Sequence, residues 1–450
     1  MFACGWCVSP APRVERVELV TGGAAVPASA HRMTRGDVLD ALSPDPPPGA
    51  LFSGFWGVVP IAAHGVGTEL ALVLRAQLAD DTEAQSELGR ILVEETVQPL
   101  ELEQPDAAAG PLVCICMATH EPSLPLLRRQ VESLRAQTHA NWVCVVSDDC
   151  TTPARFAELE RELADDPRFA ISRSAERIGF YRNFERALML APREARYVAL
   201  ADQDDRWDPD KLEVLLHELG GAQLVYSDAR IVDPDGTVLS NTYWSERRNN
   251  HADISSVLMA NSVTGAASLF RRELLDRALP FPPGQFHHFH DHWLALTALA
   301  LGEVNFVDRP LYDYVQHRGA VLGHAAANRM PRLGDRARGW RRPLRDRVGL
   351  WRLTYFVDAC RLVQLVTILE LRCGDSMDPA KRHALDRFLR ADRSPLPLAW
   401  LGARAARELL GRPETLGAEL GLAFGFAWRH AAGASARTGG RPRRMRLDSR

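Results

Sequence analysis

Lysine is nearly missing from this sequence of 450 residues, and charge of either sign is not in large excess. Lys211 and Lys381 are its lysines, and arginine supplies the other basic side chains. The formal net charge is −3, so the chain as a whole gives no reason to expect a nucleic-acid partner. Hydrophobic residues make up 46% and charged residues 25%, which is ordinary for globular domains. The length predicts about three domains.

The sequence also lacks a disulfide framework, a leader segment and a long apolar run. Its eight cysteines are scattered, and four lie in or beside apolar strand-like segments. Cys4 and Cys7 form a CxxC pair, for which a redox or zinc role is the alternative to an incidental spacing. No basic and apolar leader begins the chain, and no run of about 18 uncharged apolar residues occurs. We therefore expect a cytoplasmic protein without a membrane span.

Changes of composition along the chain predict five regions. Val14–Val20 alternates in polarity before Gly22 and Gly23, as in a strand followed by a turn. The segment 101–110 is acidic and rich in alanine, like a linker. In chain order we predict a small β-rich, sandwich-like domain (1–100), a linker (101–111), an α/β domain (112–328), a helical extension (329–435) and a basic disordered tail (436–450).

Short apolar runs and helical patterns alternate from Leu112 onward. Continuous apolar runs of this length are typical of strands buried on both faces of a sheet. We predict strands at 112–117, 142–146, 169–171 and 197–201, separated by helices at 126–134, 156–163 and 184–190. This alternation predicts an open, mostly parallel α/β sheet with helices on both faces.

Polar side chains follow three of these predicted strands at the point where each ends. Thr119 follows the first, Asp148 and Asp149 follow the second, and Asp202 and Asp204 follow the fourth. Ligands of open α/β sheets bind outside the carboxyl ends of the strands. We therefore expect one site at this edge of the sheet.

The stretch Asp202–Gln203–Asp204 is a DxD sequence at the end of an apolar run. Alternate residues of an extended segment point the same way, so the two carboxylates can face one ligand. Carboxylates packed together raise one another's pKa unless a positive group lies among them. Hard oxygen ligands suit Mg²⁺ or Mn²⁺ bridging to substrate phosphates. A solvated surface loop is the alternative, since lone DxD sequences are common.

A histidine-rich stretch, 287–293, precedes a predicted helix at 294–301. Asp291 has three interpretations here: an N-cap of that helix, part of a zinc site with the histidines, or a general base. The stretch contains no HExxH sequence, which weakens the zinc interpretation. Further along, Tyr312–Gln316 is strand-like and is followed by His317, which suits either a structural or a ligand role.

These segments, taken in order, resemble the family 2 glycosyltransferases of the GT-A fold, particularly the rhamnosyltransferase-like members. The resemblance covers roughly residues 112–323, about half of the chain. The matching segments are MATHE (117–121), SLRAQT (133–138), NW (141–142), SDDCT (147–151), RIGFYRNF (177–184), DQDDRWDPDKL (202–212), TG (264–265) with FRREL (270–274), HDHW (290–293), and QH (316–317) with Gly323.

The resemblance implies a GT-A sheet, a divalent metal (Mn²⁺ or Mg²⁺) and an inverting transfer of a hexose-type sugar. It implies a nucleotide diphospho-sugar donor, a glycan or lipid-linked acceptor, and a role in surface polysaccharide assembly. It assigns Asp291 as the catalytic base. The other implied roles are nucleotide-sugar binding (Thr119, Glu121, Asp148, Arg182, Asp202, Gln203), acceptor binding (Trp207, Gly265, Trp293) and metal binding (Asp204, His317).

Four positions depart from the family pattern. Glu121 and Arg177 stand where the family often has Asn, Ala266 where Cys is common, and Val315 where Arg is common. These departures bear on nucleotide choice and phosphate contacts more than on the type of reaction.

Three other functions compete with glycosyl transfer. A sugar nucleotidyltransferase needs a glycine-rich phosphate loop, which 117–122 lacks. A metal hydrolase needs more metal ligands than Asp204 and His317. A non-catalytic carbohydrate-binding or scaffold protein with a degenerate GT-A domain is the main alternative, and the intact DxD and Asp291 argue against it.

The C-terminal region is helical and rich in arginine. Leu353, Phe356, Val357, Cys360 and Val363 recur at helical spacing, which predicts an amphipathic helix. The basic residues suit a solvated surface, and they also suit peripheral contact with the inner face of an anionic membrane.

Overall fold

The computed structural model describes residues 2–28, 30–33, 35–42, 44–47, 49–59, 65–93, 97–100, 102, 110–245, 247–284, 288–316, 343–409, 414–415 and 417–437. The described chain forms two compact units, residues 1–96 with 426–450 and residues 97–425. His317 lies outside the described residues. So do most of the predicted linker and most of the predicted basic tail. The five predicted domain boundaries stay predictions.

The first unit is rich in β-structure, as the sequence predicted. Its strands are β1 (Phe2–Trp6), β2 (Val14–Thr21), β3 (Ala24–Pro27), β4 (Ala30–Met33), β5 (Gly54–Val58), β6 (Glu69–Leu78) and β7 (Glu83–Leu92), with a short helix α1 (Gly36–Ala41) and a 3₁₀ turn (Ala50–Phe52). They form two antiparallel sheets, ordered β1-β5-β4 and β3-β2-β6-β7.

Alternating apolar residues of the two small sheets share one core. Leu19 of β2, Phe55 of β5 and Leu74 of β6 are buried in the same cluster. Strand β2 buries every second residue over its second half, which is the period-two pattern of a sheet with one wet face.

The second unit contains one nine-stranded sheet. Its strands are β8 (Val113–Thr119), β9 (Trp142–Asp148), β10 (Phe169–Arg173), β11 (Tyr197–Asp202), β12 (Arg206–Trp207), β13 (Leu224–Val232), β14 (Val238–Ser240), β15 (Ser268–Arg271) and β16 (Val304–Val315). Their order is β10-β9-β8-β11-β15-β13-β16-β12, with β14 paired to β13. Strands β8 to β11, β13 and β16 run in one direction, so the sheet is mostly parallel, as predicted.

The central strands are apolar throughout because both of their faces are covered. Every residue of β9 is buried, and β8 is buried at six of its seven positions. The strand β15 was not predicted. It lies antiparallel between β11 and β13 and contributes only four residues, too few for a clear periodic pattern.

Helices connect the strands and cover the sheet. They are α2 (Leu124–Arg135), α3 (Pro153–Leu163), α4 (Phe180–Leu190), α5 (Lys211–Leu219), α6 (Ile254–Met259), α7 (Leu275–Ala278) and α8 (His290–Leu301), with 3₁₀ turns at Gly265–Ala267 and Arg272–Leu274. Helix α4 buries Phe184, Ala187 and Leu188 on one face, as its 3.6-residue repeat requires.

The C-terminal part of the chain is helical, as expected. The helices are α9 (Leu344–Thr354), α10 (Cys360–Cys373), α11 (Pro379–Arg393), α12 (Leu398–Leu409) and α13 (Ala418–Arg437), and a π-helical turn (Tyr355–Ala359) joins α9 to α10. Asp378 caps α11 by accepting hydrogen bonds from the backbone N–H of Ala380 at 2.8 Å and Lys381 at 3.3 Å. Among the described helices, none combines the length and apolar character needed to cross a membrane.

Candidate active site

Three adjacent parallel strands end at the same edge of the large sheet. Thr119, the last residue of β8, is paired in register with Asp148, the last residue of β9. Asp202, the last residue of β11, is paired with Ala118 of β8. The polar clusters that follow the strands in the sequence therefore meet at one edge, as the parallel topology requires.

A cavity of about 680 Å³ lies at this edge. The predicted site residues in its wall are Thr119, Asp202, Gln203, Asp204, Gly265 and Asp291. The cavity is therefore bounded on one side by the strand ends and on the other by the start of α8.

The carboxylates in this wall interact electrostatically. Burial and the neighbouring carboxylates of Asp204 and Asp291 raise the pKa of Asp202 to about 7. Burial raises the pKa of Asp291 to about 6, although backbone N–H groups of His292 and Gly265 oppose the shift. The protein thus does not fully stabilise the charged forms of Asp202 and Asp291. A cation bound at this wall would favour those charged forms.

Asp291 is the second residue of α8, and its carboxylate is held by the backbone. Its Oδ1 accepts a hydrogen bond of 2.6 Å from the N–H of His292. The N-cap of the helix is Phe289, so the interpretation of Asp291 as the N-cap is wrong. The helix begins at His290, four residues before the predicted start at Leu294. An acidic side chain in the first turn is still favoured by the helix dipole.

His290 packs behind Gly265 and supports this corner of the cavity. Its ring stacks on Phe184 with centroids 3.8 Å apart. A Cβ atom at Gly265 would lie 2.5 Å from His290 Nε2, so a larger residue does not fit there without movement. Burial lowers the pKa of His290 to about 3, which keeps the ring neutral. The two ring nitrogens have no hydrogen-bond partner among the described residues.

The two carboxylates after β9 are both bound by protein donors. Asp148 is fully buried and accepts hydrogen bonds from the hydroxyls of Thr119 at 3.0 Å and Thr151 at 2.5 Å. Asp149 accepts from the N–H groups of Ile178 at 2.6 Å and Gly179 at 2.9 Å. Asp149, rather than the predicted Asp148, belongs to the cavity wall.

Glu121 and Gln203 bind neighbouring loops. Gln203 accepts from the N–H of His120 at 2.8 Å and donates to its carbonyl at 3.1 Å. Glu121 has a φ of +43°, a left-handed conformation that Asn adopts more readily than Glu. Its carboxylate accepts from the N–H of Thr152 at 2.7 Å, and it lines a second cavity of about 780 Å³ that shares His120, Gln203 and Asp204 with the first.

Arg182, Trp207 and Trp293 lie outside the described cavity wall. Arg182 forms an ion pair with Glu185. Trp207 and Trp293 are 2% and 1% exposed, and the indole N–H of Trp293 donates to the carbonyl of Ala278 at 2.8 Å. The donor-binding role of Arg182 and the acceptor-binding roles of the two tryptophans stay predictions that this placement does not favour.

A buried lysine lies beneath the acidic cluster. The Lys211 ammonium donates to the carbonyl of Ala266 and lies 3.6 Å from the ring centroid of Trp207. Burial lowers the pKa of Lys211, and the carboxylates of Asp205 and Asp202 oppose that shift. Asp205 is itself buried, and its Oδ1 accepts from the N–H of Val315 at 3.2 Å. Burial raises the pKa of Asp205.

Sequence reasoning missed part of the cavity wall. The missed residues that bear on chemistry are Tyr243, Tyr314, Asp358 and Arg361. Asp149 and His290 were noted at a strand end and in the histidine-rich stretch, but the resemblance assigned neither of them a role. The pairing of β13 with β16 and the packing of α10 on α8 bring the others to the cavity, and a local pattern does not encode such contacts.

The fold and cavity together define an α/β domain with an acidic site at the carboxyl ends of its strands. Residues 114–279 match the family model described as glycosyl transferase family 2. The segment that carries the β9 and β11 strand ends therefore matches the glycosyltransferase family that its motifs resemble.

Several known proteins are similar to parts of the chain. The putative colanic acid biosynthesis glycosyl transferase WcaA of Escherichia coli is 31% identical over 107 residues, which is 24% of this chain and 37% of that protein. The putative teichuronic acid biosynthesis glycosyltransferase TuaG of Bacillus subtilis is 29% identical over 145 residues, which is 30% of this chain and 57% of that protein. The alignments thus span less than two thirds of the length of these relatives.

Two solved structures superpose distantly on the chain. TarS 1–349 of S. aureus in complex with UDP-GlcNAc has 15% sequence identity and a TM-score of 0.42, and the match covers 75% of this chain and 95% of that one. The mannosyltransferase PcManGT of Pyrobaculum calidifontis in complex with GDP-Man and Mn²⁺ has 20% identity and a TM-score of 0.38, over 76% and 92% of the two chains.

Proposed function

We propose that the protein is a glycosyltransferase that moves a hexose-type sugar from a nucleotide diphospho-sugar to a hydroxyl of a glycan or lipid-linked acceptor, with inversion. The observation that carries the proposal is the meeting of Asp202, Asp204 and Asp291 in one cavity at the carboxyl ends of parallel strands. The family match over residues 114–279 and the names of the curated relatives support it. The rhamnosyltransferase-like subtype and a role in surface polysaccharide assembly belong to the same proposal.

The acidic wall fits a divalent cation. The carboxylates of Asp202 and Asp204 are close enough for one to raise the pKa of the other, and their oxygens are ligands that Mg²⁺ and Mn²⁺ prefer. In the part of the chain that the structure describes, no group of three or more His, Cys, Asp or Glu side chains could by itself hold a metal ion. Asp204, with Asp202 beside it, would therefore hold the ion jointly with donor phosphates. A bound ion would supply charge neutralisation at the leaving diphosphate.

The chain's own groups perform the remaining steps. Asp291, ionised above a pH of about 6, accepts the proton of the acceptor hydroxyl while that oxygen bonds to the anomeric carbon. The bond from that carbon to the diphosphate oxygen breaks on the opposite face, which inverts the configuration. Thr119 and Asp149 bound the part of the cavity assigned to the nucleotide. His317 lies outside the described residues and is proposed as a second metal or diphosphate contact.

The proposal is tested by thermal unfolding with UDP, dTDP and GDP, each with and without Mn²⁺. A ligand that binds the native state raises the midpoint by mass action. We expect one nucleotide to raise it in a metal-dependent way in wild type and not in Asp204→Ala. The matched control is Asp210→Asn, because Asp210 pairs with Arg309 at 2.6 Å and lies outside the cavity wall. No shift with any nucleotide would contradict the proposal and favour a non-catalytic domain.

A lipid-linked acceptor would bring the protein to the inner face of a membrane. The arginine-rich C-terminal helices would then make a peripheral contact through anionic lipid. Sedimentation with vesicles that contain phosphatidylserine tests this part of the proposal. Protein that stays in the supernatant at low salt would contradict it without affecting the proposed chemistry.

A further inference from the structure

A C-terminal helix supplies part of the cavity wall. Val357, Asp358 and Arg361 line the cavity from the π-helical turn Tyr355–Ala359 and the start of α10. The other side of this turn is anchored, because the buried Tyr355 hydroxyl donates to Asp392 Oδ1 of α11 at 2.8 Å. Single π-helical turns within α-helices occur frequently at functional sites. The turn therefore lies where the helical extension meets the proposed active site.

The guanidinium of Arg361 contacts the residue that follows the proposed base in the chain. Its Nη1 lies 3.5 Å from Nδ1 of His292, the residue that follows Asp291 on α8. His292 Nε2 lies 2.9 Å from the carbonyl of Val257 and donates to it, so Nδ1 is the acceptor nitrogen. Burial lowers the pKa of His292 to about 3, so the ring is neutral. A neutral ring does not neutralise the positive charge of Arg361.

Arg361 retains donors for a ligand. A guanidinium has five N–H donors in a planar fork. Burial lowers the pKa of Arg361, and the carboxylate of Asp358 opposes that shift. Among the described residues, His292 accepts a hydrogen bond from one N–H of the guanidinium. Removing a guanidinium from water is costly unless an anion or several acceptors bind it. Carboxylates and phosphates match its fork with two parallel hydrogen bonds.

The two arginines in the described cavity wall belong to different parts of the site. Arg177 precedes Ile178 and Gly179, whose N–H groups bind Asp149 at the end of β9. Arg361 instead contacts the helix that carries Asp291. Arg177 thus lies on the side proposed for the nucleotide, and Arg361 lies on the α8 side of the cavity.

We propose that Arg361 belongs to the acceptor subsite and binds an anionic group, a carboxylate or a phosphate, on the acceptor glycan. This inference rests on the proposed function and narrows its acceptor to an acidic sugar or a phosphate-bearing glycan. The helical extension then determines which acceptor is used, while the sheet determines the donor.

The test measures binding of small acceptor probes by calorimetry. The full chain is first saturated with Mn²⁺ and the nucleotide that stabilises it, and then titrated with glucuronate, glucose 6-phosphate or glucose. We expect one charged probe to bind wild type at least about tenfold more tightly than glucose, as hydrogen bonds to charged groups allow. Arg361→Gln should remove that difference, and Arg361→Lys should retain part of it. Arg352→Gln is the matched control, because Arg352 packs on Phe356 outside the described cavity wall.

The outcomes separate the inference from the proposed function. Preference for glucuronate identifies a carboxylate acceptor, and preference for glucose 6-phosphate identifies a phosphate acceptor. Equal binding of all three probes, or binding of none, overturns the inference while nucleotide stabilisation leaves the proposed function intact. Loss of nucleotide stabilisation in a folded Arg361→Gln protein also overturns it, because Arg361 would then bind the donor diphosphate. Absence of nucleotide stabilisation in wild type overturns both.

Discussion

The ends of β9 and β11 carry similar acidic pairs but place them in different surroundings. After β9, Asp148 and Asp149 accept hydrogen bonds from threonine hydroxyls and from backbone N–H groups. After β11, Asp202 has the carboxylates of Asp204 and Asp291 as its electrostatic neighbours, and burial together with these charges raises its pKa to about 7. The β9 end is therefore a cluster stabilised by the protein, and the β11 end is a cluster that a bound cation would stabilise.

The difference arises from the chain segment after each strand. The chain after β9 turns through Cys150, which has a φ of +57°, and brings the N–H of Thr151 back to Asp148 at 2.9 Å. The chain after β11 instead brings further acidic residues. The positive group there, Lys211, is buried among Trp207 and Tyr312, where burial opposes its charge. Burial and like charge therefore make the β11 end, rather than the β9 end, the better candidate for a cation site.

Among the substitutions at the β11 end, Asp291→Asn should have the largest effect on sugar transfer. The amide keeps the shape of the carboxyl group but does not accept the acceptor proton, so we expect transfer to fall by roughly 10²- to 10⁴-fold. The measurement is the rate of sugar transfer from the donor whose nucleotide stabilises the protein. Nucleotide binding should be unchanged. Asp276→Asn is the control, because Asp276 is 70% exposed and pairs with Arg272 on the surface. Full transfer by Asp291→Asn would show that the base lies elsewhere.

Replacing Asp204 with Asn should have the next largest effect. If Asp204 holds the ion as proposed, loss of its carboxylate would weaken the neutralisation of a leaving diphosphate, and removal of one such electrostatic contact typically costs about 10²- to 10³-fold. We expect turnover to fall by that factor and to recover in part at raised Mn²⁺. The control Asp210→Asn should keep its turnover. Equal turnover of both variants without added metal would mean that the β11 cluster does not bind a catalytic ion.

Local sequence pattern is sufficient to predict the four strands β8 to β11 and the edge at which the site lies. The runs at 113–119, 142–148 and 197–202 are buried on both faces, and the parallel register follows from the helices between them. Asp148 and Asp149 are adjacent residues of the same type at the end of β9, so the sequence did not show which of the two lines the cavity. Their difference depends on the donors of Thr151 and Gly179, which are positioned by backbone turns.

The side of the cavity proposed for the acceptor could not be predicted from sequence pattern, for another reason. Arg361 is separated from His292 by about seventy positions, and it approaches through the packing of α10 on α8. The apolar repeat of α10 predicts a helix but does not say which surface the helix covers. Trp207 and Trp293 were predicted as acceptor contacts because of their motifs, whereas their large apolar rings are buried in the core.

Stability should respond in opposite directions at the two acidic sites. Asp148→Asn replaces an acceptor of three hydrogen bonds, and we expect the free energy of unfolding to fall by about 1–3 kcal/mol. Asp291→Asn should not lower it at pH 8. The pKa of Asp291 is raised from its ordinary value of 3.8 to about 6 in the folded state, so its ionisation costs stability progressively as the pH rises between these values. The cost is fully present above a pH of about 6 and small at pH 4. Urea unfolding at both pH values checks the signs. If Asp291→Asn lowered the free energy of unfolding more than Asp148→Asn does at pH 8, the predicted difference between the two sites would be wrong.

The smallest predicted effect concerns the pH dependence of transfer by the wild type. If Asp291 is the base, kcat/KM should fall about tenfold per pH unit below about 6, because the protonated carboxyl does not accept a second proton. Burial is the main cause of its raised pKa, whereas repulsion from Asp204 and Asp291 contributes to that of Asp202. Salt weakens the repulsion between exposed charges but has little effect on the cost of burying a charge. The midpoint should therefore move little between low and high ionic strength, with nucleotide binding measured in parallel as the control. A midpoint that moves strongly with salt would assign the acid limb to repulsion within the β11 cluster instead of to the buried base.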